Sequence, residues 1–202
     1  MTILKMYPTS LNEKYLDLAI DTLRSGGIII YPTDTLYAIG CDALNNNAIE
    51  RICKIKGINP QKTNLSIICH NLSQAAEYAR IDNRAFKMLR EYLPGPFTFL
   101  LPASTKLPKV FKGRKTVGVR IPDNTIPVTL AEMLGNPLLT TSVEDDGEGG
   151  IIYPQSLAIK YEETVDMLID GGEGNETPST IVDLTDSANP ELLRQGAGTI
   201  DL

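Results

Sequence analysis

Four polar clusters stand beside apolar runs of the sequence and contain the side chains best suited to chemistry. They are residues 33–35, 120–122, 140–142 and 178–180. Short apolar runs are typical of buried strands, and α/β proteins bind ligands at strand ends. If neighbouring strands bring the clusters together, they form a pocket rich in hydroxyls around one cation, Arg120. A guanidinium holds a carboxylate or phosphate with two parallel hydrogen bonds, so the expected ligand is a small anion.

The same residues also have a plainer interpretation. Threonine is common in strands because of its β-propensity, and proline, threonine and aspartate are common in turns. In the segment 31–40, Tyr31 and Pro32 precede two threonines and Asp34. This segment is therefore either a strand end that grips a ligand or a polar turn between two strands.

Basic residues are concentrated in two windows that contain no acid. The net charge of −6 argues against general binding of nucleic acid, yet four basic residues lie in 51–62 and six in 106–120. This asymmetry indicates a basic face that receives anions on an otherwise acidic body. The alternative is a solvated surface on which Lys54 and Lys56 complement the C-terminus of a helix.

Several classes of protein are disfavoured by features that the sequence lacks. Three cysteines without a Cys-x-x-Cys spacing fit a reducing cytoplasm rather than a disulfide framework or a zinc site. We find no secretory signal and no apolar stretch of about 20 residues that could span a bilayer. The single histidine, His70, is expected to end a strand rather than to act in catalysis. Neither a Walker loop nor a dinucleotide glycine motif is present, so lysines and arginines would have to hold any nucleotide phosphates.

Alternating strands and helices must position these residues. Apolar runs predict strands over 2–6, 27–31, 64–69, 97–101, 116–120, 138–141, 167–169, 180–184 and 192–194. Helical spacing predicts helices over 11–24, 47–56, 73–78, 84–92, 126–134 and 155–161, the third capped by Ser73. Several consecutive strands have no helix between them. We therefore expect a twisted mixed sheet with flanking helices in a single α/β domain over residues 1–202.

Seven motifs along the chain together resemble one known family. They are Tyr-Pro-Thr-Asp-Thr-x-Tyr-x-x-Gly (31–40), Lys-x-Lys (54–56), Pro-Gly-Pro-Phe-Thr-Phe (94–99), Val-Gly-Val-Arg-Ile-Pro (117–122), Thr-Thr-Ser (140–142), Ser-Thr-Ile-Val-Asp (179–183) and Leu-Arg-Gln-Gly (193–196). In this order the chain resembles the YrdC family of threonylcarbamoyl-AMP synthases over nearly its whole length. It is most similar to the YciO branch of that family.

The resemblance implies a YrdC-like fold with a large concave basic cavity, and it implies a reaction. L-threonine, bicarbonate and ATP, with Mg²⁺ neutralising the triphosphate, would give threonylcarbamoyl-AMP and pyrophosphate. The product would supply the threonylcarbamoyl group for adenosine 37 of tRNA. The implied partners are therefore three small molecules and tRNA or another structured RNA, with no membrane.

The resemblance also implies roles for particular residues. The residues implied to bind threonine are Thr35, Arg120, Thr140 and Ser179. Those implied to hold ATP and bicarbonate are Lys54, Lys56, Thr116, Ser142 and Arg194. No further catalytic residue and no protein ligand for a metal ion is implied.

The sequence departs from the family pattern near the implied nucleotide site. Lys56 replaces the arginine of Lys-x-Arg and therefore loses the bidentate fork. Glu144 replaces the asparagine of Ser-x-Asn, and a carboxylate beside phosphates would repel them. The loop 57–64 is also longer than the pattern. These departures predict a weaker or altered synthase activity. The alternative function is a non-catalytic module of the same fold that binds double-stranded RNA or the ribosome through the basic cavity.

Overall fold

A mixed β-sheet runs through the whole computed structural model, which describes residues 1–60, 62–113, 115–143 and 152–202. Within these ranges the sheet has ten strands. They are β1 (Thr2–Lys5), β2 (Ile29–Tyr31), β3 (Ala38–Asp42), β4 (Ser66–Ile68), β5 (Phe97–Pro102), β6 (Thr116–Arg120), β7 (Leu138–Ser142), β8 (Met167–Asp170), β9 (Thr180–Asp183) and β10 (Glu191–Arg194).

The strand order is β1-β8-β2-β3-β7-β4-β6-β5-β9-β10. Four neighbouring pairs are parallel, namely β1·β8, β2·β8, β4·β6 and β5·β9. The pairs β2·β3, β3·β7, β4·β7, β5·β6 and β9·β10 are antiparallel. The predicted mixed sheet is therefore confirmed, and residues distant in sequence become neighbours at its centre.

Six described helices flank the sheet. They are α1 (Glu13–Arg24), α2 (Asn46–Ile55), α3 (Leu72–Tyr78), α4 (Asn83–Tyr92), α5 (Thr125–Leu134) and α6 (Pro154–Lys160). A short 3-10 helix covers Lys109–Lys112. The predicted cap at Ser73 is wrong, because the side chain of Asn71 accepts the hydrogen bond from the Gln74 amide and helix α3 begins at Leu72. An asparagine N-cap satisfies an amide that the first helical turn leaves unbonded.

The sheet is buried on both faces at its centre. Ile28 and Ile30 belong to one core cluster, whereas Ile29 and Tyr31 belong to the other. Successive side chains of a strand point to opposite faces, so strand β2 contributes to both cores. This explains why its sequence is a continuous apolar run rather than an alternating pattern. Helices α1 and α5 cover the second cluster.

One strand was missing from the sequence prediction. No strand was predicted between residues 31 and 47, but Ala38–Asp42 forms β3 and pairs with both β2 and β7. Because β3 contains a glycine and ends in an aspartate, it lacks the β-branched run that marks its neighbours. The segment 32–37 therefore connects two antiparallel strands, as the turn interpretation predicted, and it also reaches the site described next.

Candidate functional site

A cavity of about 170 Å³ lies where the four polar clusters meet. Its walls include Thr35, Arg120, Thr140, Ser142, Ser179 and Arg194. The order β3-β7-β4-β6-β5-β9-β10 brings these side chains together although they are far apart in sequence. The cavity therefore combines hydroxyl groups with two guanidinium groups.

Arg120 ends strand β6 and is only 8% exposed. Its Nη2 atom donates to Asp34 Oδ1 at 2.9 Å and to Thr35 Oγ1 at 3.0 Å. The other carboxylate oxygen of Asp34 accepts from the Asp123 amide at 2.9 Å, which fixes the carboxylate. Burial lowers the pKa of Arg120, and the nearby charge of Asp34 opposes that effect. A buried charge needs such a partner to offset its desolvation.

Both of these hydrogen bonds use Nη2, so the guanidinium has further donors. Arg120 Nε is buried, and none of the described residues accepts a hydrogen bond from it. Buried donors in proteins are nearly always bonded. Because Arg120 lines the cavity, an anionic group bound there can accept from the guanidinium, and the positive charge of Arg194, which also lowers the pKa of Arg120, favours the same outcome.

The hydroxyls of Thr33 and Thr35 are ordered by their hydrogen bonds. Thr33 Oγ1 donates to the Leu36 carbonyl at 2.7 Å and accepts from the Thr35 amide at 3.0 Å. Its single hydrogen is therefore used, so in the 3.2 Å contact between the two hydroxyls Thr35 is the donor. Since Thr35 Oγ1 also accepts from Arg120, its remaining capacity is one lone pair, which can accept from a ligand.

Strand β7 contributes Thr140, Thr141 and Ser142 to the cavity wall. Thr140 is buried, and its Oγ1 accepts from the Tyr31 hydroxyl at 3.0 Å. Further along the strand, Lys56 Nζ donates to the Ser142 carbonyl at 2.8 Å. The lysine thus reaches the cavity wall through the backbone of Ser142 and anchors the end of α2 to the end of β7.

Ser179 connects strands β5, β9 and β10 at the other side of the cavity. Its hydroxyl lies 2.8 Å from Thr98 Oγ1. Arg194 donates to the Ser179 carbonyl through Nε at 3.0 Å and through Nη2 at 2.7 Å. The Nη2 atom also donates to the Ser179 hydroxyl at 3.2 Å. Burial against this wall lowers the pKa of Arg194.

Three of the nine residues named from the sequence do not line this cavity. Lys56 approaches it through the Ser142 carbonyl, and Thr116 approaches it through Asn64, whose Oδ1 accepts from the Thr116 hydroxyl at 3.0 Å. Lys54 is exposed in the last turn of α2 and borders a separate depression. That position agrees with the interpretation of Lys54 as a complement to the helix C-terminus. Glu144 lies outside the described residues.

Sequence reasoning missed two residues of the site. Asp34 was part of a named cluster but was not given a role, although it holds Arg120. Thr98, inside the motif 94–99, is buried beside Ser179 and lines the cavity. For Thr98 the available signal was its place between Phe97 and Phe99 in a predicted strand, since a buried polar side chain needs a partner.

Other reactive side chains lie away from the cavity. His70 follows β4, and its backbone amide donates to Gln74 Oε1 at 2.9 Å. The thiols Cys41, Cys53 and Cys69 are free and buried, and burial raises the pKa of each. Within the described ranges no group of three or more His, Cys, Asp or Glu side chains could hold a metal ion. In the same part of the chain no helix has the length and apolarity needed to cross a membrane.

Comparison with known proteins identifies the family to which this chain belongs. The model of the Sua5/YciO/YrdC family, described as telomere recombination, matches residues 21–196. The uncharacterized protein YciO of Escherichia coli (strain K12) is 36% identical over 198 residues, covering 96% of this chain and 95% of YciO. The crystal structure of E. coli YciO superposes with a TM-score of 0.92 and covers 98% of both chains.

Proteins with a stated activity are also similar. The threonylcarbamoyl-AMP synthase of Pyrococcus abyssi is 32% identical over 199 residues, which cover 97% of this chain but 58% of the synthase. The crystal structure of P. abyssi Sua5 complexed with L-threonine has a TM-score of 0.88 at 31% identity, covering 97% of this chain and 58% of that chain. The chain therefore belongs to the Sua5/YciO/YrdC family, in its YciO branch.

Proposed function

We propose that this protein synthesises threonylcarbamoyl-AMP from L-threonine, bicarbonate and the magnesium complex of ATP. The observation that carries the proposal is the buried guanidinium of Arg120, which lines a cavity whose wall includes the hydroxyl residues Thr35, Thr140 and Ser179. A relative crystallised with L-threonine supports the choice of amino acid. The synthase activity of a relative 32% identical supports the choice of reaction.

The proposed reaction has two steps. The amine of threonine attacks the carbon of bicarbonate, and loss of water leaves a carbamate on the nitrogen. An oxygen of that carbamate then attacks the α-phosphorus of ATP, and the bond to pyrophosphate breaks. Both steps join anionic reactants, so positioning and charge stabilisation supply most of the catalysis. A histidine base is not needed for this chemistry.

The proposed roles assign some residues of the cavity to threonine and others to ATP and bicarbonate. Arg120 holds the carboxylate of threonine, and Thr35, Thr140 and Ser179 bind the rest of the amino acid. Ser142 and Arg194 hold ATP and bicarbonate. Lys56 supports this binding through the Ser142 carbonyl, and Thr116 supports it through Asn64. Adenosine 37 of tRNA is the proposed destination of the threonylcarbamoyl group.

Release of pyrophosphate from ATP tests this proposal. We expect release to require both L-threonine and bicarbonate, and omission of either one to reduce the rate to background. Arg120→Ala should abolish the threonine-dependent release of pyrophosphate. The matched control Lys62→Ala changes an exposed loop residue and should retain this release. Equal effects of the two substitutions would contradict the assigned roles.

The same preparation separates the enzyme from the RNA-binding alternative. Pyrophosphate release that ignores threonine and bicarbonate would overturn the proposed synthase. Tight binding of double-stranded RNA that weakens steeply with added salt, because phosphate contacts release counterions, would then favour a non-catalytic module.

A further inference from the structure

Tyr31 and Gly40 begin and end the motif 31–40, yet neither lines the cavity. Tyr31 ends strand β2 and is completely buried, and Gly40 lies in the middle of β3. Ligand contact therefore does not account for these two residues. Their positions in the sheet indicate another role.

The phenol of Tyr31 lies across strand β3 at Gly40. Strand β3 separates β2 from β7, and Gly40 pairs with Thr140 of β7. A Cβ atom at Gly40 would come within 2.7 Å of the Tyr31 hydroxyl oxygen and 2.9 Å of its ring carbon Cε1. Only glycine leaves room for this close approach, which lets the Tyr31 hydroxyl reach Thr140 Oγ1 at 3.0 Å, two strands away.

This contact fixes the direction of the Thr140 hydroxyl. A tyrosine hydroxyl has one hydrogen, and Tyr31 donates it to Thr140 Oγ1. The hydrogen of Thr140 must therefore point elsewhere, and no oxygen of the described residues accepts it. Since Thr140 lines the cavity, the open direction is that of a bound ligand.

We propose that Tyr31 is a positioning residue, which together with Gly40 holds the Thr140 hydroxyl as a donor to an oxygen atom of the substrate. The identity of that substrate, L-threonine, rests on the proposed function. Thr35 differs from Thr140, because it donates to Thr33 and offers a lone pair. The cavity thus presents a donor at Thr140 and an acceptor at Thr35. An amino acid, which carries carboxylate oxygens and an amine, matches that polarity.

Burial of Tyr31 supports this assignment of donor and acceptor. Loss of solvent raises the pKa of the Tyr31 phenol, and the hydrogen bond to Thr140 and the charge of Arg120 oppose this rise only in part. The phenol therefore keeps its hydrogen throughout the neutral pH range and remains a donor to Thr140.

Calorimetric titration of L-threonine into Tyr31→Phe tests the proposal. The substitution removes only the hydroxyl, and we expect the Kd to rise about five- to tenfold, the effect of one hydrogen bond. Tyr37→Phe is the matched control, because Tyr37 is also a buried tyrosine but its hydroxyl bonds to Gly171 and Gly172. It should lower the melting temperature and leave the Kd within about twofold. A purely structural role for Tyr31 would likewise lower the melting temperature alone, and that result would overturn the proposal.

Two substitutions at Thr140 keep the test decisive if Tyr31→Phe does not fold. Thr140→Val should weaken L-threonine binding about tenfold, and Thr140→Ser, which restores the hydroxyl, should recover most of it. In a Tyr31→Phe background, Thr140→Val should weaken L-threonine binding less than it does in the native protein, because the two residues act as one unit. Native binding by Thr140→Val would overturn the positioning role and leave the proposed function standing. Absence of L-threonine binding to the unaltered protein would instead overturn the proposed function.

Discussion

Arg120 and Arg194 line the same cavity but are held there in different ways. Arg120 ends a central strand, is 8% exposed and forms an ion pair with the equally buried carboxylate of Asp34. Arg194 lies on the edge strand β10, in which all four residues are exposed, and it donates to the neutral carbonyl of Ser179. A buried cation needs a charged partner to offset desolvation, whereas an exposed cation is solvated by water.

The difference assigns separate tasks to the two arginines. Asp34 and Thr35 fix Nη2 of Arg120 while the residue lines the cavity, which suits the anchoring of one small carboxylate. Arg194 lies at the rim, where solvent weakens its interactions. It is better placed to assist a larger, partly exposed anion such as a nucleotide phosphate. Substitutions at or near each arginine test whether the two residues have these separate tasks.

The largest effect is expected for Arg120→Ala. Two charge-assisted hydrogen bonds to a carboxylate contribute about 3 kcal/mol, so L-threonine binding should weaken about a hundredfold. Calorimetric titration measures this loss, and a circular dichroism spectrum of the same sample establishes that the variant is folded. If Arg194→Ala weakened threonine binding as much as Arg120→Ala, the proposed division of tasks would be wrong.

Asp34→Asn should destabilise the fold itself. The amide keeps the shape of the carboxylate but leaves the Arg120 charge buried without a counter-charge, at a cost of about 3 kcal/mol in the free energy of unfolding. Urea denaturation measures this change. Asp183→Asn serves as a control, because the Asp183 carboxylate bonds only to nearby exposed groups of Thr185 in the described structure. Equal stability of Asp34→Asn and the unaltered protein would show that the ion pair does not fix Arg120.

Arg194→Ala should have the smallest effect of the three. An exposed cation contributes about 1 kcal/mol, so the KM for ATP should rise about fivefold while the Kd for L-threonine changes little. Lys54→Ala is the matched control, since Lys54 is also exposed but borders a different depression. A larger loss of ATP affinity for Lys54→Ala than for Arg194→Ala would locate the nucleotide outside this cavity.

Local patterns were sufficient to predict most of the fold. The run 27–31 and the capped helices 47–56 and 126–134 contain their signals within a few residues, and the observed bounds differ by one or two positions. The strand β3 could not be predicted in the same way. Its strand conformation depends on pairing with β2 and β7, and β7 lies about a hundred residues further along the chain.

The residues that line the candidate site could largely be predicted from the sequence, but the partners of their side chains could not. Hydroxyls at strand ends identified Thr35, Thr140 and Ser179 as possible lining residues. The partner of Arg120 is Asp34, 86 residues away, and no local pattern specifies such a pair. Lys54 and Lys56 are close in sequence and were assigned the same role, but the structure separates their side chains. Residues two apart near a helix end face different directions, so one lysine reaches Ser142 while the other remains exposed.

A crystal structure of this protein bound to L-threonine would test most directly whether Arg120 anchors the substrate. We predict a ligand carboxylate oxygen within about 3 Å of a guanidinium nitrogen of Arg120, with the ion pair to Asp34 retained. A carboxylate bound at Arg194 instead, with Arg120 still bonded only to Asp34 and Thr35, would contradict this account.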